Sequence, residues 1–249
     1  MFPIRDHNPS RGVPFVTYAL IALNVAVWAW TAATVQGDQA TWQLYQVWAI
    51  TPARISNGEG WLTLVSSTFL HAGILHLAGN MLFLWIFGDN LEDEMGHGGF
   101  LLFYLLAGIG AGLAQWISEP WSPIPTVGAS GAIAGVMGAY LLFFPRAKVD
   151  VLLILIVFFR IFPIPAWIVL AVWFGLQVFQ GVGVSAADGG VAYWAHAGGF
   201  VAGFLLALPL WLREGGPRFW SRTHGHPPHP EAHYPEALNS SIPRVTRRR

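Results

Sequence analysis

Residues 60–88 read GWLTLVSSTFLHAGILHLAGNMLFLWIFG, a run without one Asp, Glu, Lys or Arg. A helix crossing a bilayer core of about 30 Å needs roughly 20 apolar residues, so this run is long enough to span. It also holds what a span should avoid: His71, His76 and Asn80. Five more charge-free stretches surround it, at 12–37, 95–118, 120–145, 161–187 and 189–212. Together they predict an all-α polytopic membrane protein, a bundle of six transmembrane helices occupying residues 1–212.

Composition restricts the alternatives. Of 249 residues, 10% are charged and 54% hydrophobic, with a mean hydropathy of +0.50. A soluble domain carries about 25% charged residues, and a disordered chain lacks such apolar content. The absence of cysteine excludes disulfides, a thiol nucleophile and Cys-based metal centres. A net charge of zero argues against nucleic acid as a partner.

The distribution of basic residues predicts orientation. Arg5 and Arg11 precede the first span, Arg146, Lys148 and Arg160 lie between the fourth and fifth, and seven arginines follow the sixth. Only Arg54 falls on the other side, so the positive-inside rule puts both termini in the cytoplasm. Asp89, Glu92, Asp93 and Glu94 are expected in a loop on that same face. The short leader Met1–Pro14 favours insertion into a prokaryotic plasma membrane. The loop 38–59, with Trp42, Leu44, Tyr45, Val47, Trp48 and Ile50, is expected to rest in the outer interface. Val151–Phe159 is too short to span and is followed by Pro163 and Pro165, so it is expected at the interface or as a half-spanning extension of a neighbouring helix. The Pro-, His- and Arg-rich tail 213–249 is expected to be disordered or weakly bound to anionic lipid.

Polar side chains retained within spans are candidates for function. His76 and Asn80 are four residues apart and share a helix face. Gly128-Ala-Ser130-Gly131 follows a Pro-rich loop and opens a small-residue helix, so Ser130 sits where backbone N–H groups lack intrahelical partners. Taken alone, Ser130 reads as a helix cap and each histidine as a bundle-stabilising hydrogen-bond donor. The third feature is Ala195-His196 followed by Gly199 and Gly203. Gly199/Gly203 and Gly131/Gly135 form two small-residue faces suited to close backbone contact, with His196 and Ser130 at similar depth. A serine needs a base to become a nucleophile, and His196 can be that base. His76, Asn80 and the Ser130 N–H can stabilise an oxyanion. The spans of Ser130 and His196 hold no carboxylate, which predicts a dyad, and Gly181–Gly190 is the candidate lid.

These motifs, in this order, resemble the rhomboid family of intramembrane serine proteases. The resemblance rests on His71-Ala-Gly-Ile-Leu-His76-Leu-Ala-Gly-Asn80, Gly128-Ala-Ser-Gly131, Ala195-His196 with Gly199 and Gly203, and Gly88-Asp-Asn-Leu-Glu-Asp-Glu-Met-Gly96, and runs to about Trp211. It implies Ser130 as nucleophile, His196 as base, His76 and Asn80 as oxyanion donors and His71 as a supporting residue. It implies that Gly199 and Gly203 press one span onto another. It also implies cleavage of single-pass membrane proteins near their transmembrane segments, without metal or organic cofactor. Two positions depart from the family pattern. Trp61 is followed by Leu62 instead of Arg, and Ala134 stands where an aromatic often stacks on the base. Orientation of His196 is then expected from Tyr193, Trp194 or Phe200.

Two other readings compete. A metalloprotease or metal transporter built on His71, His76 and His196 lacks any H-E-x-x-H motif or carboxylate within the spans. A catalytically inactive relative that binds membrane-protein clients would not need the intact Ser130/His196 pair.

Overall fold

The computed structural model describes residues 2–155, 158–183, 191–228 and 231–232. In chain order the elements begin with β1 (Phe2–Asp6), α1 (Phe15–Thr34), α2 (Gly37–Trp48), α3 (Pro52–Ser56), α4 (Thr63–Ser66) and a 3-10 turn at Ser67–Phe69. Then come α5 (Ile74–Met95), α6 (His97–Ser118), α7 (Ser130–Phe143), β2 (Lys148–Leu155) and β3 (Phe158–Pro165). The order closes with α8 (Ala166–Gly183), α9 (Tyr193–Arg213) and α10 (Pro217–Thr223). Helices α1, α5, α6, α8 and α9 are each long and apolar enough to cross a membrane. The protein is a mostly helical polytopic membrane bundle.

The fourth expected span departs from a full crossing. The charge-free run from 120 becomes helical only at Ser130, and α7 has 14 residues, about 21 Å of helix against a core of about 30 Å. Pro120, Pro123 and Pro125 remove helix donors before it. The non-helical approach is held by backbone pairing. Ile50 and Thr126 exchange hydrogen bonds, and Gly128 N–H donates to the Ser67 carbonyl at 2.9 Å. Irregular backbone at membrane depth survives only when so satisfied or facing a water-filled cavity. All of α7 except Ser130 and Leu141 is buried, as a helix surrounded by its neighbours should be.

The opening stretch 60–88 is divided. Its first half folds as α4 and the 3-10 turn, chain-breaking Gly73 is extended, and α5 begins only at Ile74. His76 and Asn80 therefore lie in the first two turns of a spanning helix. At its other end α5 continues through Asp89, Glu92, Asp93 and Glu94, which were expected in a loop; Gly96 alone, at φ 71°, turns the chain into α6. Buried Glu92 accepts hydrogen bonds from the N–H groups of Val16 and Thr17 and from the Thr17 hydroxyl, each at 2.8 Å. It thereby caps the first turn of α1, where a carboxylate also complements the helix dipole.

The stretch around Val151–Phe159 is not a half-spanning extension of a neighbouring helix. It forms an antiparallel pair, β2 with β3, registered from Lys148 opposite Pro165 to Leu155 opposite Phe158, and β1 adds to the other side of β2. An apolar run this short reads equally as strand or helix. Pro163 and Pro165 are accommodated because β3 is an edge strand, so the next helix starts at Ala166 and not at 161. Buried Asp150 ties the strands together through Arg5 Nε and His7 Nε2, both at 2.7 Å.

The tail also packs further than expected. Phe219 of α10 is buried against Phe143 and Phe144, and Trp220 Nε1–H donates to the Leu142 carbonyl at 2.9 Å. Aromatic burial thus orders a segment that its arginines and prolines made look unpacked. Ala232 N–H donates to the His7 carbonyl, bringing the two ends of the described chain together. Residues 233–249 lie outside the described residues.

Candidate active site

The site is built where α7 and α9 touch. A Cβ on Gly199 would lie 2.1 Å from the Gly131 carbonyl oxygen, one on Gly203 2.1 Å from that of Gly135, and one on Gly138 2.1 Å from that of Phe200. Only glycine permits this approach. The contact sets the two helix starts side by side, with Ser130 as the first residue of α7 and His196 in the first turn of α9. His196 Nε2 lies 2.7 Å from Ser130 Oγ. The first intrahelical bond of α7 runs from Ile133 N–H to the Ala129 carbonyl, so the N–H groups of Ser130 and Gly131 precede the ladder.

Gly128 is constrained twice. Its φ is +129°, and a Cβ there would lie 2.8 Å from the His76 ring. A side chain would strain the backbone and displace the imidazole. His71 sits just before α5 and meets His76 edge-on, with ring centroids 5.1 Å apart. Asn80 is buried, and its Nδ2 has no hydrogen-bond partner among the described residues. Ser130, His196, His76 and Asn80 all line one cavity of about 710 Å³. An orphaned buried amide donor costs about 1–3 kcal/mol, and this one lines the same cavity as Ser130.

The neighbours that orient His196 differ from those expected. Neither Tyr193, Trp194 nor Phe200 stacks on it. Gln177 Oε1 of α8 lies 2.7 Å from His196 Nδ1, and the Trp173 ring, one turn earlier, lies against the imidazole at 5.8 Å between centroids and 31° between planes. Phe200 contacts Trp173 instead, and Trp194 packs beside Gly181. From α6, Gln115 Oε1 accepts the Ala195 N–H at 3.2 Å, which holds the start of α9. Both glutamines escaped the sequence reading because it weighed ionisable groups and Asn80. Neutral amides inside charge-free spans were the available signal.

Leu62 follows Trp61, and the charged contacts of this segment come from Arg54. Arg54 donates to the Gln46 carbonyl and faces Glu59 at 3.9 Å. Trp61 meets Trp116 edge-on at 5.8 Å, and Trp116 Nε1–H donates to Ser56 Oγ at 2.9 Å. The segment between α1 and α4 is thus anchored, while Trp42, Val47 and Trp48 stay more than half exposed, left uncovered by the protein. The candidate lid Gly181–Gly190 lies mostly outside the described residues; Gly181–Gly183 form the last residues of α8. Among the described residues no three His, Cys, Asp or Glu side chains are grouped to hold a metal ion, so His71, His76 and His196 do not form a ligand set.

A Rhomboid domain family model matches residues 58–213. The chain is 34% identical over 215 residues to the rhomboid protease GluP of Bacillus subtilis, covering 83% of this chain and 37% of that protein. It is 29% identical over 204 residues to the mitochondrial rhomboid protein 1 of Saccharomyces cerevisiae, 76% of this chain and 51% of the relative. RHOMBOID-like protein 5 of Arabidopsis thaliana is 31% identical over 178 residues, 68% and 50% respectively. The chain thus spans about half or less of the length of these relatives.

Proposed function

The chain belongs to the rhomboid family, and from that premise we propose that it is an intramembrane serine protease acting on single-pass membrane proteins in or near their transmembrane segments. The observation that carries this reading is the 2.7 Å contact between Ser130 Oγ and His196 Nε2 inside a cavity also lined by His76 and Asn80. Ser130 Oγ attacks the scissile carbonyl carbon while its proton passes to His196 Nε2. The oxyanion is received by the Ser130 N–H, Asn80 Nδ2 and His76. Collapse of the intermediate breaks the C–N bond, and the imidazolium returns the proton to the leaving amine. Water, activated by the same imidazole, then hydrolyses the acyl-enzyme.

The shortness of α7 supports this chemistry at membrane depth. A nucleophile at the head of a 14-residue helix lies below one surface, and the cavity above it supplies room for water. The termini are proposed to face the cytoplasm of a prokaryotic cell, on the strength of the basic residues gathered at that end, and the cavity then opens to the other side.

The test is labelling of the purified protein with a fluorophosphonate, together with cleavage of a transmembrane substrate in proteoliposomes. Modification at Ser130, its loss in His196→Ala, and abolished cleavage in Ser130→Ala that chelators do not mimic are the expected results. Cleavage that persists in Ser130→Ala would overturn the assignment.

A further inference from the structure

We propose that Gln177 is a positioning residue for the general base, so that the working unit is Ser130–His196–Gln177 and not a bare pair. The proposal rests on the reading of Ser130 as nucleophile and His196 as base. Helix α8 is apolar and mostly uncovered, and its three buried residues, Ala166, Leu170 and Gln177, lie along one stripe. Gln177 is the polar member of that stripe, and its Oε1 ends 2.7 Å from His196 Nδ1. A buried amide on an apolar helix face is expensive unless hydrogen-bonded. This one is bonded to the group that must move a proton.

The direction of that bond decides the chemistry. A carbonyl oxygen only accepts. With Oε1 facing it, Nδ1 carries the hydrogen and donates to Gln177. The lone pair of the neutral imidazole is then on Nε2, facing Ser130 Oγ at 2.7 Å. The opposite tautomer would require the amide to turn over and present its NH2 to Nδ1, and it would leave Nε2 unable to take the serine proton. In this orientation Gln177 holds the productive tautomer and keeps Nδ1–H in place while Nε2 gains and returns a proton. The same helix fixes the ring plane through Trp173, at 5.8 Å, in a chain where Ala134 offers no aromatic from α7. Because the amide is neutral, it orients the base without adding a second ionisable group beside it. The titratable groups that share the cavity are His76 from α5, Glu119 after α6, Tyr45 from α2 and Tyr193 from α9. No ionisable side chain of α8 is among them.

The test compares Gln177→Ala and the isosteric Gln177→Glu with the wild type, as pH profiles of kcat and KM for one transmembrane substrate in proteoliposomes. Gln177→Ala should lower kcat by about 10- to 100-fold, the scale of losing the partner that orients a histidine, with KM changed less than about twofold. In Gln177→Glu a carboxylate accepts the same Nδ1–H and favours the imidazolium, so the acid limb of kcat should move up by about one pH unit. A merely structural glutamine would not move that limb. Wild-type turnover in Gln177→Ala, or a Gln177→Glu profile that overlays the wild type, overturns the proposal. If Gln177→Ala does not fold, the Gln177→Glu profile decides alone. Failure of the underlying assignment is read separately, as wild-type protein without label at Ser130.

Discussion

Helices α7 and α8 are similarly apolar, and they are packed in opposite ways. Twelve of the 14 residues of α7 are buried, against three of the 18 in α8. Hydrophobicity does not separate them; side-chain size does. α7 presents Gly131, Gly135 and Gly138 to backbone carbonyls of α9, whereas α8 turns Trp167, Val172, Leu176, Phe179 and Val182 outward, each at least half exposed. In a membrane, lipid tails are as apolar as leucine, so close packing of small residues is what joins helices. The proposed nucleophile, Ser130, sits on the tightly held helix. The groups proposed to aim its base sit on the loosely held one.

The hardest test of this contrast is Gly199→Val. Its Cβ would meet the Gly131 carbonyl, and backbone cannot yield as a flexible side chain can. A loss of about 3 kcal/mol or more is expected, seen as absence of folded protein in a detergent thermal melt. A well-folded variant would break the distinction between the helices.

His76→Ala sharpens it by separating chemistry from packing. Loss of this proposed oxyanion donor should lower kcat by about 10²–10³-fold, roughly 2.7–4 kcal/mol, while the melting temperature stays close to wild type. An equal fall in stability would show that the ring serves the fold.

The far end of α7 tests whether its tight packing tolerates charge. There Tyr140 OH donates to Asp6 Oδ2 at 3.1 Å, and Asn90 Nδ2–H donates to the same oxygen at 2.9 Å. Burial, and then the nearby Asp89, hold the Asp6 carboxyl well above the usual carboxylate range. A carboxyl with a raised folded pKa binds its proton more readily folded than unfolded. Stability attributable to Asp6 should therefore fall as pH climbs from the ordinary carboxylate range through the raised value, by at most about 1.4 kcal/mol per pH unit. Asp6→Asn should flatten that slope in melts taken across pH; a slope unchanged in the variant would assign it to other groups.

The smallest effect belongs to α8. A Cβ on Gly175 meets nothing within 4 Å, so Gly175→Ala should alter stability by no more than about 1 kcal/mol and leave turnover unchanged. A large loss in a melt would mean that α8 is gripped after all.

The same contrast explains what could be read in advance. Charge-free runs located α1, α6 and α9 because charges end where lipid begins. The small residues around Ser130 and His196 identified two faces able to meet. Packing that depends on uncharged partners stayed hidden: Gln177 and Gln115 do not register in a count of charges. Val151–Phe159 is too short for its apolar content to distinguish strand from helix, and it became β2–β3 by pairing with β1, which is distant in sequence. Phe219 was masked by the arginines around it. The division of 60–88 at Gly73 was also missed, because hydropathy does not record where a helix starts.

A final consequence of the 14-residue α7 is electrical. Water reaching Ser130 leaves about 21 Å of low-dielectric protein between the site and the opposite compartment. The membrane voltage should fall across that layer, with the site held at the potential of the side to which its cavity opens. A potential of 100 mV is worth about 2.3 kcal/mol for a unit charge crossing the whole field, yet proton transfer between Ser130 and His196 would traverse almost none of it. Turnover in proteoliposomes should therefore be the same with and without an imposed potassium diffusion potential. A voltage-dependent rate would place the reacting groups inside the field.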